Sequence, residues 1–235
     1  MTITVEPEVH HAHRDVTGGW LRPATFGVMD GLVSNFALVA GVVGGGAGTH
    51  AVVLTGLAGL AAGACSMASG EYISVSSQTE LMQAEIGVER RELKRNPAGE
   101  LKELTAIFEA KGIRPDLASE VARELTEDPE VAWRVHVREE LGVDPDDLPS
   151  PWLAAGSSFV AFAIGALIPL LPFMLGATSL VTSMLLSVLA LGAAGGFVAK
   201  LTARAPWFGA GRQLLLGALS AAVTYGIGLI VGAAV

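Results

Sequence analysis

The chain has 235 residues, of which 51% are hydrophobic and only 16% charged, with a formal net charge of −8 and a mean hydropathy of +0.52. So much apolar surface excludes a disordered chain, and the charge content lies below the roughly 25% of an ordinary soluble domain. The charges are also segregated: residues 78–150 hold 10 of the 15 Lys and Arg and 18 of the 23 Asp and Glu, and so carry the whole net charge. Neither this block nor the chain has the basic excess that phosphate binding requires, which excludes nucleic acid as a partner.

Residues 1–23 form a polar arm that includes His10, His11 and His13. These imidazoles could capture metal, although an unstructured polar terminus is the plainer reading. The arm carries acids and has no small-residue cleavage site, so the apolar segment that follows does not read as a removed signal peptide.

Apolar stretches run over 24–48, 51–76, 152–176, 178–199 and 213–235. Each reaches about 20 residues, the length a helix rising 1.5 Å per residue needs to cross a hydrocarbon core of about 30 Å. Five transmembrane helices are expected. The first contains Asp30, in GVMDGLVSNFAL, and the second contains Cys65, Met67 and Glu71, in CSMASGEYISV. A carboxylate in hydrocarbon costs several kcal/mol, so such groups face a bundle interior, a water-filled cavity or an ion path. Structural pairing between helices is the alternative for both acids, and weighs more for Glu71 because it falls close to the interface. Met67 lies one turn before Glu71 on the same face, and its thioether is a soft ligand for a borderline cation such as Fe²⁺, although a methionine on an apolar helix is more often core filler. Counted inward from the polar ends, Asp30 and Met67 fall at similar depth and could share one site. Cys65 is the single cysteine, which excludes a disulfide framework or a CxxC site and reads as a packing thiol.

The second helix does not stop where the membrane does. No proline interrupts Ala51 to Arg95, and the polar half is rich in helix formers, so a helix of about 45 residues, roughly 66 Å long, projects beyond the bilayer. Asn96-Pro97 breaks it, because the residue before proline avoids the helical region. Two or three short amphipathic helices are expected next, over about 98–111 with Leu101, Leu104, Ile107 and Phe108; 115–126 with Leu117, Val121 and Leu125; and 128–141 with Val131, Trp133, Val137 and Leu141. Residues 78–150 thus read as a compact cytosolic helical lobe, and the fold class as all-α, with five membrane helices and the lobe between the second and third.

Within the lobe, Glu85, Glu89 and Glu92 share one helix face, and Glu100 and Glu103 follow just past the break. Like charges so spaced repel by a few tenths of a kcal/mol per pair. Facing a partner helix they would need a cation to offset the repulsion, and hard divalent ions prefer carboxylate oxygens. The alternative is a solvated acidic face with Arg90, Lys94 and Lys102 as local partners. Asp144, Asp146 and Asp147 do not form an EF-hand, since Pro145 interrupts the loop and the required Gly and final Glu are missing; they read as a solvated linker into Pro149 and Pro151.

Pro169 and Pro172 should kink the third span and free carbonyls toward a cavity. The turn between the fourth and fifth spans carries Lys200, Arg204 and Arg212, with Pro206 and Trp207 as a turn and an interfacial aromatic. The turns near 44–50 and 173–177 have no Lys or Arg, so the positive-inside rule puts the N-terminus and the lobe in the cytosol and the C-terminus on the far side. Gly pairs four apart (27/31, 41/45, 59/63, 192/196 and 228/232) favour close helix approach and suit a dimer. The Ala-, Gly- and Arg-rich composition suggests a bacterial inner membrane.

Three motifs in order carry a family resemblance: Asp30-Gly-Leu with Phe36-Ala-Leu, Ser66 through Gln78 (SMASGEYISVSSQ), and Gly165 through Pro172 (GALIPLLP). Together they resemble the vacuolar iron transporter family, from about Thr25 to the C-terminus. The resemblance implies a homodimer that moves Fe²⁺, and sometimes Mn²⁺, out of the cytosol in exchange for protons. It implies no catalytic residues and no tightly bound cofactor. Asp30 and Met67 match the family's intramembrane ligands near the dimer axis, and Glu89, Glu92, Glu100, Glu103 and Glu140 match its cytosolic metal-binding carboxylates. Where some eukaryotic members have two methionines this chain has His136 and Val137, and imidazole is harder than thioether and titrates near neutrality. The rival reading is a membrane-anchored metal sensor or a ferritin-like iron-handling protein without transport. Ferritin-like di-iron sites use Glu-x-x-His pairs, and the lobe's single histidine, His136, supplies none.

Overall fold

The computed structural model describes residues 19–234, and these form eight α-helices, one π-helical turn and no strand. His10, His11 and His13 lie outside the described residues. Five of the helices are long and apolar enough to cross a membrane: α1 (Leu21–Gly44), α2 (Thr49–Arg95), α6 (Pro151–Met174), α7 (Leu180–Leu201) and α8 (Pro206–Ala234). Between α2 and α6 lie α3 (Pro97–Ala110), α4 (Pro115–Thr126), α5 (Pro129–His136) and the π-helical turn Val137–Leu141.

Helix α2 is continuous for 47 residues, about 70 Å at 1.5 Å per residue, and ends at the expected break. Pro97 then opens α3 at a position where its missing N–H is no loss, and the Asn96 side chain accepts from the Gly99 N–H at 3.2 Å. The apolar bundle is organised around α1, which packs against α6 and α8 and touches α2 and α7, while α6 also packs along α2. The short 44–49, 174–180 and 201–206 connections make successive helices antiparallel. The 201–206 turn and the start of α1 therefore lie at the same end of the bundle as the polar lobe.

The glycine pairs act mainly inside the chain. A methyl group on Gly27 would meet the Ser158 carbonyl of α6 at 2.7 Å, and one on Gly232 would meet the Gly45 carbonyl of α1 at 2.7 Å. Gly31 and Gly165 close the same α1–α6 seam, and Gly41 faces Gly228 across α1–α8. Such backbone approach is the membrane substitute for a hydrophobic driving force between helices. A methyl on Gly192, by contrast, would meet only the Leu214 side chain, at 3.9 Å, among the described residues.

Some local readings shift. Helix α8 begins at Pro206, not at 213, because Pro206 serves as a helix N-terminal residue and carries Trp207 and Arg212 into the helix. Helix α6 runs through both Pro169 and Pro172, and the Pro169 carbonyl accepts from the Ser183 hydroxyl of α7 at 2.6 Å. Cys65 is exposed on α2 and not buried as a packing thiol. In the lobe, Leu104, Phe108, Ala118 and Ala122 form the core, whereas Leu117, Val131 and Leu141 point outward. The α3–α4 contact is close, and the small Ala118 and Ala122, not Leu117, fill it. Trp133 is buried with the Arg90 guanidinium 3.7 Å above its ring. Asp144 and Asp146 do not float free: they pair with Arg138 and Arg134 and fold the linker back on the lobe.

Candidate metal sites

Four elements of the lobe converge on one point. Glu89 comes from the extended end of α2, Glu100 from the first turn of α3, His136 from the end of α5 and Glu140 from the π-helical turn. The Asn96-Pro97 break folds α3 back on α2, so that glutamates eleven positions apart meet. The π-helical turn, a device that recurs at functional sites, brings Glu140 to His136 and is ended by Gly142 in the left-handed conformation, φ 65°. His136 Nδ1 lies 2.8 Å from Glu140 Oε1, 3.2 Å from Glu89 Oε1 and 3.7 Å from Glu100 Oε2. One donor atom from each of the four residues falls within 4.8 Å of all the others.

This group is buried at a cost. His136 is wholly inaccessible, and Glu89 and Glu100 are each 8% exposed. His136 Nε2 and Glu89 Oε1 are buried without a hydrogen-bond partner. Burial pushes the Glu89 carboxyl up to about 7, helped by the charges of Glu140 and Glu100. Burial likewise lifts Glu140 to about 7, with Glu103 and Glu100 adding repulsion. One imidazole can offset at most one of three carboxylate charges, whereas a divalent cation offsets two. Three oxygens and one imidazole nitrogen form a donor set suited to borderline first-row metals.

A second site lies among the apolar helices. A cavity of about 230 Å³ opens between α1, α2 and α6, lined by Asp30, Ser34, Asn35, Ser66, Met67 and Phe162 with small and apolar neighbours. Its floor on α2 is Gly59 and Gly63, whose missing side chains make the space: a methyl on Gly63 would run into the Phe162 ring. Asp30 and Met67 therefore do meet in one space, from helices whose depth count had placed them level. Tyr72, midway along α2, and Trp152, at the start of α6, lie with their rings tilted and their centres 4.7 Å apart, and Tyr72 is five residues, or about 7.5 Å, from Met67.

Other expected residues are not drawn in. Glu71 is half-buried beside Tyr72 and lines neither site. Glu92 sits 3.7 Å from Arg95 at the surface, and Glu103 is exposed, reaching Glu140 only through its field. Glu85 is exposed as well. Sequence reasoning passed over Asn35. The available signal was a polar amide inside an apolar span, the same kind that singled out Asp30.

A bundle of five membrane-length helices, with a carboxylate-lined cavity and a carboxylate–imidazole cluster on a helical lobe, is the architecture of a polytopic membrane protein. The model of the VIT family matches residues 21–229, and the chain belongs to this family. It is 37% identical over 220 residues to a "Vacuolar iron transporter" of Acanthamoeba castellanii, covering 91% of this chain and 79% of the relative. It is 33% identical to "Vacuolar iron transporter 1" of Oryza sativa subsp. japonica, covering 93% and 88% of the two chains. It is 31% identical to "Vacuolar iron transporter 1" of Arabidopsis thaliana, covering 97% and 95%. These relatives are from an amoeba and plants, and lend no support to the bacterial inner membrane suggested by composition.

Proposed function

We propose that this chain is a divalent transition-metal transporter of a multi-pass membrane, moving Fe²⁺, with Mn²⁺ as a second cargo, out of the cytosol in exchange for protons. The observation that carries the reading is the cavity that joins Asp30 of α1 to Met67 of α2 inside the apolar bundle. The relatives, matched along 79% and 95% of their own length, are named as iron transporters, which supports the same cargo here.

In this reading residues 1–23 are a cytosolic arm, 24–77 carry the first two spans, 78–150 are the cytosolic metal-collecting lobe and 151–235 carry the last three spans. The C-terminus is on the far side. The cluster of Glu89, Glu100, His136 and Glu140 collects the hydrated ion, and Glu92 and Glu103 add negative potential at its rim. Glu71 stands between lobe and cavity as a way station. At the cavity Asp30 binds the ion or a proton but not both well, so competition for one carboxylate couples the two fluxes. Met67 favours a softer cation over Mg²⁺ or Ca²⁺. A homodimer is supported by the outward face of α2, where Ala58, Ala61, Ala62, Cys65, Ser66 and Ser69 form an exposed run of small residues beside the open cavity.

The test is flux. Reconstituted into liposomes, the protein is expected to move Fe²⁺ in proportion to an imposed pH gradient, and Asp30→Asn to stop it. Metal binding without flux would return the chain to the sensor reading, and flux in Asp30→Asn would remove the cavity from the path.

A further inference from the structure

Asn35 lies on α1 and is 2% exposed, in a span otherwise almost free of amides. Its Nδ2 donates to the Ala166 carbonyl of α6 at 2.5 Å. That bond fixes the side chain's direction. A carbonyl oxygen can only accept, so the amide nitrogen must face Ala166 and the amide oxygen must face the opposite way. Oδ1 consequently points toward α2, where a methyl group on Gly59 would lie 3.3 Å from it. Gly59 and Asn35 both line the cavity that holds Asp30 and Met67.

Oδ1 is buried and has no hydrogen-bond partner. A buried acceptor with nothing to accept from is costly and rare in a folded protein. Here it is an oxygen with two free lone pairs, held in place by its own amide group and turned into a space that already contains a carboxylate and a thioether. We infer that Asn35 is a third metal ligand of the membrane cavity, its amide oxygen coordinating the divalent cation beside Asp30 and Met67. The inference rests on the proposed transport site and deepens it. An amide oxygen adds a hard donor without adding charge. The ion entering the cavity loses water, and a neutral oxygen replaces some of that hydration without the desolvation penalty that a second carboxylate would bring. Gly59 serves the same end by keeping the approach to Oδ1 open.

Two roles are separable at this residue, the tether to Ala166 and the coordination by Oδ1. Asn35→Leu removes both, while Asn35→Asp keeps an oxygen in place and loses the tether. With full-length protein in liposomes and Fe²⁺ as the probe, Asn35→Leu is expected to raise the KM for transport about tenfold, in the range seen when a metal site loses a supporting group. Asn35→Asp is expected to return KM to within about threefold of wild type, with thermal unfolding of both variants followed in parallel. An unchanged KM in Asn35→Leu overturns the inference. So does an Asn35→Asp protein that folds yet is as impaired as Asn35→Leu, since the tether would then be the whole role. If Asn35→Leu does not fold, Asn35→Ala replaces it, and an unchanged KM there is equally decisive. Asp30→Asn measured alongside separates the two proposals: lost flux in Asp30→Asn with normal KM in Asn35→Leu defeats only the Asn35 assignment, and normal flux in Asp30→Asn defeats the membrane site itself.

Discussion

The lobe cluster and the membrane cavity are built from opposite materials. The cluster gathers three glutamates around one imidazole inside the polar lobe, where burial and mutual repulsion lift two of the carboxyls to about 7. The cavity has one carboxylate, and its remaining donors are neutral: a thioether, an amide and hydroxyls. The difference follows from the solvent on either side. Charge attracts a hydrated cation over distance and is affordable at an aqueous surface, whereas each carboxylate placed among lipid-facing helices costs several kcal/mol. In the proposed function, collection and passage therefore call for different ligands, and the two regions should fail differently when altered.

The largest effect is expected at Asp30, the only charge in the cavity lining. Asp30→Asn should cut flux by about 100-fold or more, beyond the roughly 10- to 100-fold that loss of a supporting group costs a metal site, while calorimetric binding to the lobe stays intact. Next come the cluster residues. In full-length protein carrying Asp30→Asn, His136→Ala or Glu89→Gln should weaken Mn²⁺ binding by about 10- to 100-fold. Glu92→Gln and Glu103→Gln should weaken it only a few-fold, because their effect is a screened field. Equal losses at all four positions would mean that the lobe binds by diffuse charge and that the convergence on His136 is incidental.

The third expectation concerns pH. Glu89 and Glu140 take up protons as pH falls through about 7, so lobe affinity for metal should rise between pH 6 and 8, with proton release on binding seen as a buffer-dependent heat. Stability of the metal-free protein should run the other way. Both folded-state pKa values lie above the usual 4.5, so the folded state holds more protons than the unfolded one between about 4.5 and 7, and stability falls as pH rises across that window. Thermal unfolding without metal from pH 5 to 8 checks the sign.

The smallest expected effect is one of packing. Gly31→Ala places a methyl against the α6 backbone, 2.9 Å from the Ala166 nitrogen, and should destabilise the bundle by about 1–3 kcal/mol. Gly70→Ala meets nothing within 4 Å and should be near neutral. Lobe metal affinity should be indifferent to both, which would confirm that the two regions are energetically separate.

Local signals carried much of this molecule. The five apolar lengths, the absence of proline from Ala51 to Arg95 and the Asn96-Pro97 break are properties of contiguous residues, and the helices follow them closely. The start of α8 was misplaced because proline serves both as a turn residue and as a helix opener, and only the chain around it selects between these roles. Asp30, Glu89 and Glu100 were legible as a residue of the wrong polarity for its surroundings or as repulsive spacings, and Met67 by its depth level with Asp30.

The amino-acid sequence alone determined the spans, the long second helix and the segregation of charge, since each depends on a few neighbouring side chains and their solvent. The tertiary structure decided which acids converge and which stay at the surface, which glycines face another helix of the chain, and which way the Asn35 amide points. Helical periodicity gives a direction around one axis only; the partner on the other side comes from an element as many as 187 positions away, and packing alone chooses it.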